Sequence, residues 1–187
     1  MRLVLATRNE HKAREFAVLM APHEVLALAP EVQLPPETGD TFAANALEKA
    51  RPAVAATGLP AIADDSGIEA AALGGAPGVR SARYAGEHAT DEQNLAKLLR
   101  EAPAGSPLAY VCALAYVAAD GAEHLVEGRC TGTLAADPRG DGGFGYDPAF
   151  VPDDLPEGRT MAELQPHEKD AISHRGRAAR ALLEYLG

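Results

Sequence analysis

Leu59-Pro60-Ala61-Ile62-Ala63-Asp64-Asp65-Ser66-Gly67 decides how this chain is read. A short apolar run ends on two adjacent carboxylates, and Ser-Gly follows. The run predicts a buried strand over Ala61–Asp64, with Asp64 and Asp65 at its exit and a turn ending it. Ligands of α/β sheets bind at strand exits. Two acidic side chains there call for a hydrogen-bond network or a cation. Taken alone, Asp-Asp-Ser-Gly also describes an ordinary turn in which aspartate caps backbone amides, so its meaning depends on what surrounds it.

Working outward, Arg2–Ala6 reads as a strand and Glu10–Met20 as a helix with Ala13, Phe16, Ala17 and Met20 on one face. Glu24–Ala29 reads as a short strand. Thr41–Thr57 is a second helix stopped by Gly58 and Pro60, and Pro52 inside it predicts a kink or an early end. Downstream, Gly67–Gly86 is loop-like. Thr90-Asp91-Glu92-Gln93 is a capping box that opens a helix through Leu99. Leu108–Ala118 and His124–Leu134 flank Asp120-Gly121, a hairpin signal. Pro138–Pro148 is a glycine-rich loop, and Ser173 caps a last helix through Leu186. Helices at both ends with strands between predict an α/β fold with a mixed central sheet flanked by helices. A length of 187 residues predicts one domain over 1–187.

The formal net charge is −10. A chain this acidic has no general basic surface, which argues against sequence-independent nucleic-acid binding and against anionic membranes. A local cationic pocket for a small phosphorylated substrate remains compatible with it. No apolar run approaches the roughly 18 residues of a membrane span. The first residues, Met1 to Asn9, turn polar too soon for a secretory signal, so a cytoplasmic location is expected. A two-residue turn at Asp120-Gly121 pairs Ala119 with Ala122 and sets Cys112 opposite Arg129. Cys130 then falls on the other face of the ribbon, and no Cys112–Cys130 disulfide is expected.

Several motifs are excluded. Gly140-Asp141-Gly142-Gly143-Phe144-Gly145 matches GxGxxG, but no strand precedes it and no helix follows, as a dinucleotide site requires. No Gly-Lys dipeptide exists for a phosphate loop of the Walker type. His167-Glu168 lacks the second histidine of a zinc helix, and no Cys/His spacing suits structural zinc. Thr7-Arg8-Asn9-Glu10-His11-Lys12 is more informative, because it leaves a strand and enters a helix whose free N–H groups and dipole attract phosphate. Lys12 in that first turn faces the positive dipole end. His174, Arg175 and Arg177 at the start of the last helix are likewise unfavourable unless an anion compensates, and Lys169 lies just upstream. Glu37 precedes the second helix. Glu37 with Asp65 matches the one or two carboxylates that Mg²⁺ takes beside phosphate oxygens and water, and Asp64 or Asp65 suits acceptance of a proton from an attacking water.

These residues carry a resemblance. Leu5-Ala6-Thr7-x-Asn9-x-x-Lys12, Glu37-Thr38-Gly39-x-Thr41-Phe42-x-x-Asn45-Ala46 and Ala61-Ile62-Ala63-Asp64-Asp65-Ser66-Gly67 are followed by three further segments. These are Leu73-Gly74-Gly75-Ala76-Pro77-Gly78-x-x-Ser81-Ala82-Arg83-Tyr84, Gly143-Phe144-Gly145-Tyr146-Asp147-Pro148 and Ala171-Ile172-Ser173-His174-Arg175-Gly176. In this order, across nearly the whole chain, they resemble the inosine triphosphate pyrophosphatase family, also called XTP/dITP diphosphatases. The resemblance implies two lobes around a substrate cleft, Mg²⁺, a homodimer, and hydrolysis of ITP, dITP and XTP to the monophosphate and pyrophosphate. By position, Thr7, Arg8, Asn9, Glu10, His11 and Lys12 are implied to bind the triphosphate. Glu37 and Asp65 are implied to hold metal, with Asp65 the proton acceptor and Ser66 touching substrate. Phe144, Gly145, Tyr146 and Asp147 are implied to embrace the base, Phe144 by stacking. Lys169, His174 and Arg175 are implied to contact the nucleotide, the last two near the purine 6-oxo group. Arg8 stands where many relatives have glycine.

Two other functions compete. One is a Maf-like pyrophosphatase with another base preference. The other is a nucleotide-binding module without catalysis, against which Glu37, Asp65 and Lys12 weigh, since a sensor has no need of a metal-bound base.

Overall fold

The structure is a computed structural model describing residues 1–187. Six strands form one mixed sheet in the order β2-β1-β3-β4-β5-β6. They are β1 (Arg2–Leu5), β2 (Glu24–Ala27), β3 (Ala61–Ala70), β4 (Pro107–Val117), β5 (Glu123–Leu134) and β6 (Phe150–Pro152). β1 pairs parallel with β2 and with β3, whereas β5 and β6 are antiparallel. The helices are α1 (Glu10–Leu19), α2 (Phe42–Thr57), α3 (Asp91–Glu101), α4 (Pro166–Ile172) and α5 (His174–Leu186). The predicted α/β class with a mixed, helix-flanked sheet therefore holds. No helix is long and apolar enough to cross a membrane.

The chain divides into two compact units, each with its own core. The first comprises 1–65, 112–128 and 175–187. Its core joins Leu3 and Leu5 of β1, Phe16 of α1 and Met20 at that helix's end, Ile62 of β3, Leu114 of β4 and Leu182 of α5. The second comprises 66–111 and 129–174, with Ile68, Leu98, Tyr110, Leu134, Phe150 and Met161 at its centre. Cys112 lies in the first core and Cys130 in the second, and both are free thiols, as expected.

Several sequence expectations need correction. β3 does not stop at Asp64 but runs on through Asp65-Ser66-Gly67 to Ala70, so the two carboxylates lie inside a strand. The strand that exits here is β1. It pairs with β3 only as far as Leu5↔Ile62, and Asp64 and Asp65 lie past that last pair. Ile68 and Ala70 are fully buried, which keeps the strand in the sheet beyond the aspartates. The segment expected to be one loop from Gly67 instead holds the end of β3 and two short 3₁₀ turns, Ala71–Leu73 and Gly78–Arg83. Pro52 does not end α2, which continues to Thr57 while Ala46, Ala50 and Ala53 are buried along one face. Burial of that stripe outweighs the single hydrogen bond that proline removes. In α1, Phe16 and Met20 are buried but Ala17 is exposed.

The hairpin turn is longer by one residue than expected. Ala118 N–H donates to the Ala122 carbonyl, enclosing Ala119, Asp120 and Gly121, and Gly121 takes φ 90°. A residue in that left-handed region after a turn is the usual three-residue hairpin solution, and glycine enters it without steric cost. The capping box at Thr90 and Gln93 forms as expected. α4 and β6 had no counterpart in the sequence reading, because seven and three residues are too few to express a period.

Candidate functional site

In the first unit, the sites of interest grow from the exit of β1. The chain leaves Leu5 and enters α1 with Asn9 as N-cap. Asn9 Oδ1 accepts from the N–H groups of His11 and Lys12 at 2.9 and 3.2 Å. Thr7 Oγ1 accepts from Asn9 N–H at 3.2 Å. The helix start thus satisfies these donors with its own side chains, and what it projects is the Lys12 ammonium. Lys12 Nζ lies 2.9 Å from Asp64 Oδ2, resolving why a lysine stands in a first turn. Arg175, in the first turn of α5, places Nε 3.5 Å from the same oxygen and donates to Glu15 Oε2 at 3.1 Å. The anions that compensate this helix start come from the protein itself.

Asp64 is only 1 % exposed. Burial opposes its charge, yet Lys12, Arg175 and Lys49 together hold its carboxyl far below the usual carboxylate range. Asp65, next in the strand, behaves oppositely. Burial and the negative charge of Glu37 push its carboxyl up, and Lys49 and an Asn45 hydrogen bond offset this only in part. Two neighbouring carboxylates with opposite shifts are a mark of divided roles, one a fixed counter-charge and the other a group able to take a proton. Lys49 donates to Glu37 Oε1 at 2.5 Å and to the Asp64 carbonyl at 2.6 Å. Asn45 Nδ2 donates to Asp65 Oδ2 at 2.8 Å.

In the sequence Asn45 stands out only as a motif residue without a role, and Lys49 and Glu15 not at all. The first two had a signal. Phe42, Asn45, Ala46, Lys49, Ala50 and Ala53 form the buried stripe of α2 at helical spacing, and two polar residues on such a stripe require partners. Glu15 had none, since a glutamate in a surface helix is ordinary.

Of the predicted phosphate segment, Lys12 joins this cluster, but Arg8, Glu10 and His11 are exposed. The Arg8 guanidinium donates to the carbonyls of Leu28, Ala29, Pro30 and Val32 at 2.9, 2.9, 3.3 and 2.5 Å. Arg8 therefore clasps the segment that follows β2, a role for which spacing offers no hint. Arg8→Ala is expected to lower stability by about 1 kcal/mol, the net worth of a partly exposed hydrogen-bonded cluster, and to speed amide exchange over residues 29–32. Urea unfolding and hydrogen exchange check this. A tenfold rise in KM for a triphosphate would instead assign Arg8 to phosphate.

In the second unit, Asp147 is 3 % exposed and gathers three donors. Its Oδ1 accepts from the Tyr110 hydroxyl at 3.0 Å, and its Oδ2 from Lys169 Nζ at 2.8 Å and from Phe144 N–H at 2.9 Å. Lys169 is presented by α4, and its ammonium lies 5.1 Å from the centre of the Phe144 ring. That separation is within cation–π range. Gly145 N–H donates to Asp91 Oδ2 at 2.9 Å, and the Tyr146 hydroxyl to the Ser81 carbonyl at 2.6 Å. Every residue from Phe144 to Asp147 is thus held by a side chain or a carbonyl, while the Phe144 ring stays half-buried. The His174 ring stacks on Tyr110, with centroids 4.6 Å apart and planes 9° from parallel. Ser66 follows Asp65 in β3. Tyr110 carried no sequence signal, being one more large residue in an apolar strand.

A mixed α/β sheet with acidic and basic side chains gathered beyond a parallel strand end, and an aromatic loop pinned by a buried aspartate, defines a protein of the nucleotide-handling kind. The comparisons sharpen that class. The Ham1 family model matches residues 3–185. A dITP/XTP pyrophosphatase of Mycolicibacterium paratuberculosis is 50 % identical over 196 residues, covering 98 % of this chain and 95 % of that protein. One of Symbiobacterium thermophilum is 51 % identical over 191 residues, covering 99 % and 94 %. Among solved structures, a HAM1 protein from Coxiella burnetii has a TM-score of 0.88 at 40 % identity, covering 100 % of this chain and 98 % of that one. The chain belongs to the Ham1 family. The family resemblance drawn from the motifs therefore holds.

Proposed function

We propose that this chain hydrolyses non-standard purine nucleoside triphosphates, namely ITP, dITP and XTP, to the monophosphate and pyrophosphate. The observation that carries the reading is the Asp64/Asp65 pair in a chain about half identical, end to end, to proteins named dITP/XTP pyrophosphatase. A fixed anion that organises cations stands beside a carboxyl made more basic, which is what water activation next to a polyphosphate requires.

The donor set fits Mg²⁺. Burial first, and the charge of Glu37 second, raise the Asp65 carboxyl, and a divalent cation would favour its ionised form. No group of three or more His, Cys, Asp or Glu side chains is placed to hold a metal ion. Two carboxylates are what Mg²⁺ accepts when phosphate oxygens and water complete its shell. When bound, the ion neutralises charge on the phosphates. Asp65 takes a proton from water as the water oxygen bonds the α-phosphorus. The bond from that phosphorus to the α–β bridging oxygen breaks, and pyrophosphate departs. Lys12, Lys49 and Arg175 offset the negative charge that accumulates on it. Lys12 is the triphosphate contact expected of the first helix start, with Thr7 and Asn9 shaping that start and Ser66 touching substrate.

The base falls to the second unit's residues. Phe144 stacks on the purine, with Gly145, Tyr146 and Asp147 holding that loop in place. Lys169 contacts the nucleotide, while His174 donates toward O6. Adenine would set its amino group against that donor, and a site built for a missing polar partner rejects the analogue by a factor on the order of 10⁴. The same reading includes a homodimer in the cytoplasm without nucleic-acid or membrane partners; the charge of −10 supports the last part.

The test is a pyrophosphate-release screen in Mg²⁺ across ITP, dITP, XTP, dUTP, modified UTP and the four standard triphosphates. Release from the first three, at least a hundredfold above ATP, is expected. Preference for a pyrimidine would favour Maf-like chemistry instead. Tight ITP binding without pyrophosphate would mean a binding module.

A further inference from the structure

Gly39 and Asp65 meet on the two ends of one buried amide. Asn45 is 1 % exposed. Its Oδ1 accepts from Gly39 N–H at 2.8 Å, and its Nδ2 donates to Asp65 Oδ2 at 2.8 Å. The amide orientation follows from chemistry, because a backbone N–H is a donor only and must face the oxygen. The nitrogen is then directed at Asp65, where an ionised carboxylate accepts it. One turn further along α2, Lys49 ties Glu37 to the Asp64 carbonyl. The 37–39 segment is thereby fastened to β3 at two points, two residues apart in the segment and adjacent in the strand. Gly39 has no room for a side chain: a Cβ there would stand 2.7 Å from Asn45 Oδ1 and 3.0 Å from Ala44 Cβ.

We propose that Asn45 is a positioning residue that fixes the Asp65 carboxylate and the Glu37-bearing segment in one register. This rests on the roles proposed above for Glu37 and Asp65. Without the amide, the segment loses its anchor at Gly39 and Asp65 loses the donor that orients Oδ2. Partners of this kind behind metal-binding carboxylates change activity or metal affinity by about 10–100-fold when removed.

The experiment uses Asn45→Ala, Asn45→Ser, Gly39→Ala and the Asn45→Ala/Gly39→Ala pair in the full chain. With ITP and saturating Mg²⁺, kcat of either Asn45 variant is expected to fall by about 10–100-fold, with KM within about threefold of wild type. Gly39→Ala is expected to lower kcat too, since its methyl displaces Asn45 Oδ1. In the Asn45→Ala background most of that loss should vanish, because coupled neighbours are not additive. Without any nucleotide or metal, the Gly39 amide should exchange its proton faster by tenfold or more in Asn45→Ala and Asn45→Ser. A folded Asn45 variant with kcat within twofold of wild type, unchanged Gly39 exchange, or full additivity of the two substitutions would overturn the proposal. Wild-type protein inert toward every triphosphate would overturn the proposed function instead, and Gly39 exchange would still judge the anchor.

Discussion

Asp65→Asn is expected to yield a folded protein that releases pyrophosphate from ITP about 10³-fold more slowly than wild type, the usual worth of a positioned base. The shape and one hydrogen-bonding oxygen survive, but the group can neither take a proton nor bring charge to a cation. Folding should not suffer. The carboxyl of Asp65 is raised above its ordinary range by burial and by Glu37, so the folded state favours its neutral form. A raised carboxyl contributes stability below its unfolded pKa, and that contribution is lost as pH rises through the folded value. At neutral pH the ionised side chain is therefore a small liability, and a neutral amide removes it. The melting temperature is expected to equal or slightly exceed that of wild type. Single-turnover kinetics with scanning calorimetry checks both halves. Retained full activity would exclude Asp65 as base or metal ligand.

One residue away, the same substitution should do the reverse. Asp64→Asn removes the counter-charge shared by Lys12 and Arg175, both largely buried, with Lys49 close by. Lys12 then loses its paired anion and Arg175 keeps only Glu15, and breaking a buried ion pair costs about 3–5 kcal/mol. For a chain of this size that corresponds to a melting temperature lower by roughly 10 °C. The pH dependence follows from the depressed carboxyl. Its stabilisation is present above the unfolded value near 3.8 and is lost as pH falls below it toward the folded value. Wild type should therefore lose stability steeply below about pH 4, and Asp64→Asn should show a flatter acid limb. Equal melting temperatures for the two proteins would show that the ion network contributes nothing to folding.

Residue chemistry alone leaves Asp64 and Asp65 equivalent candidates, and only the family resemblance singles out Asp65; neither shows the opposite environments of the two. Their roles separate because alternate residues of a strand face opposite sides. One side presents Asp64 to Lys12 and Arg175, and the other presents Asp65 to Asn45. The same limit shortens the strand that the sequence predicts, Ala61–Asp64, against the Ala61–Ala70 that forms. Four polar or small residues break an apolar run, and only the cations and amides waiting around them make their burial tolerable.

Elements whose determinants are local were readable without coordinates. Thr90 and Gln93 cap α3 through atoms three residues apart, and Asp120-Gly121 turns a hairpin by backbone preference. Arg8 and the longer hairpin loop were not, since one depends on partners distant in the chain and the other on one hydrogen bond, and α4 is too short to express a period.

By itself the sequence determined the α/β class, the family and the set of ionisable side chains, because periodicity, capping and motif order are properties of residues close along the chain. Only the tertiary structure decided which cation faces which carboxylate, and that Asn45 and Lys49 stand between Glu37 and the aspartates. Pairing of buried charges depends on distances across the fold, and these arise only when helix and sheet faces are packed together.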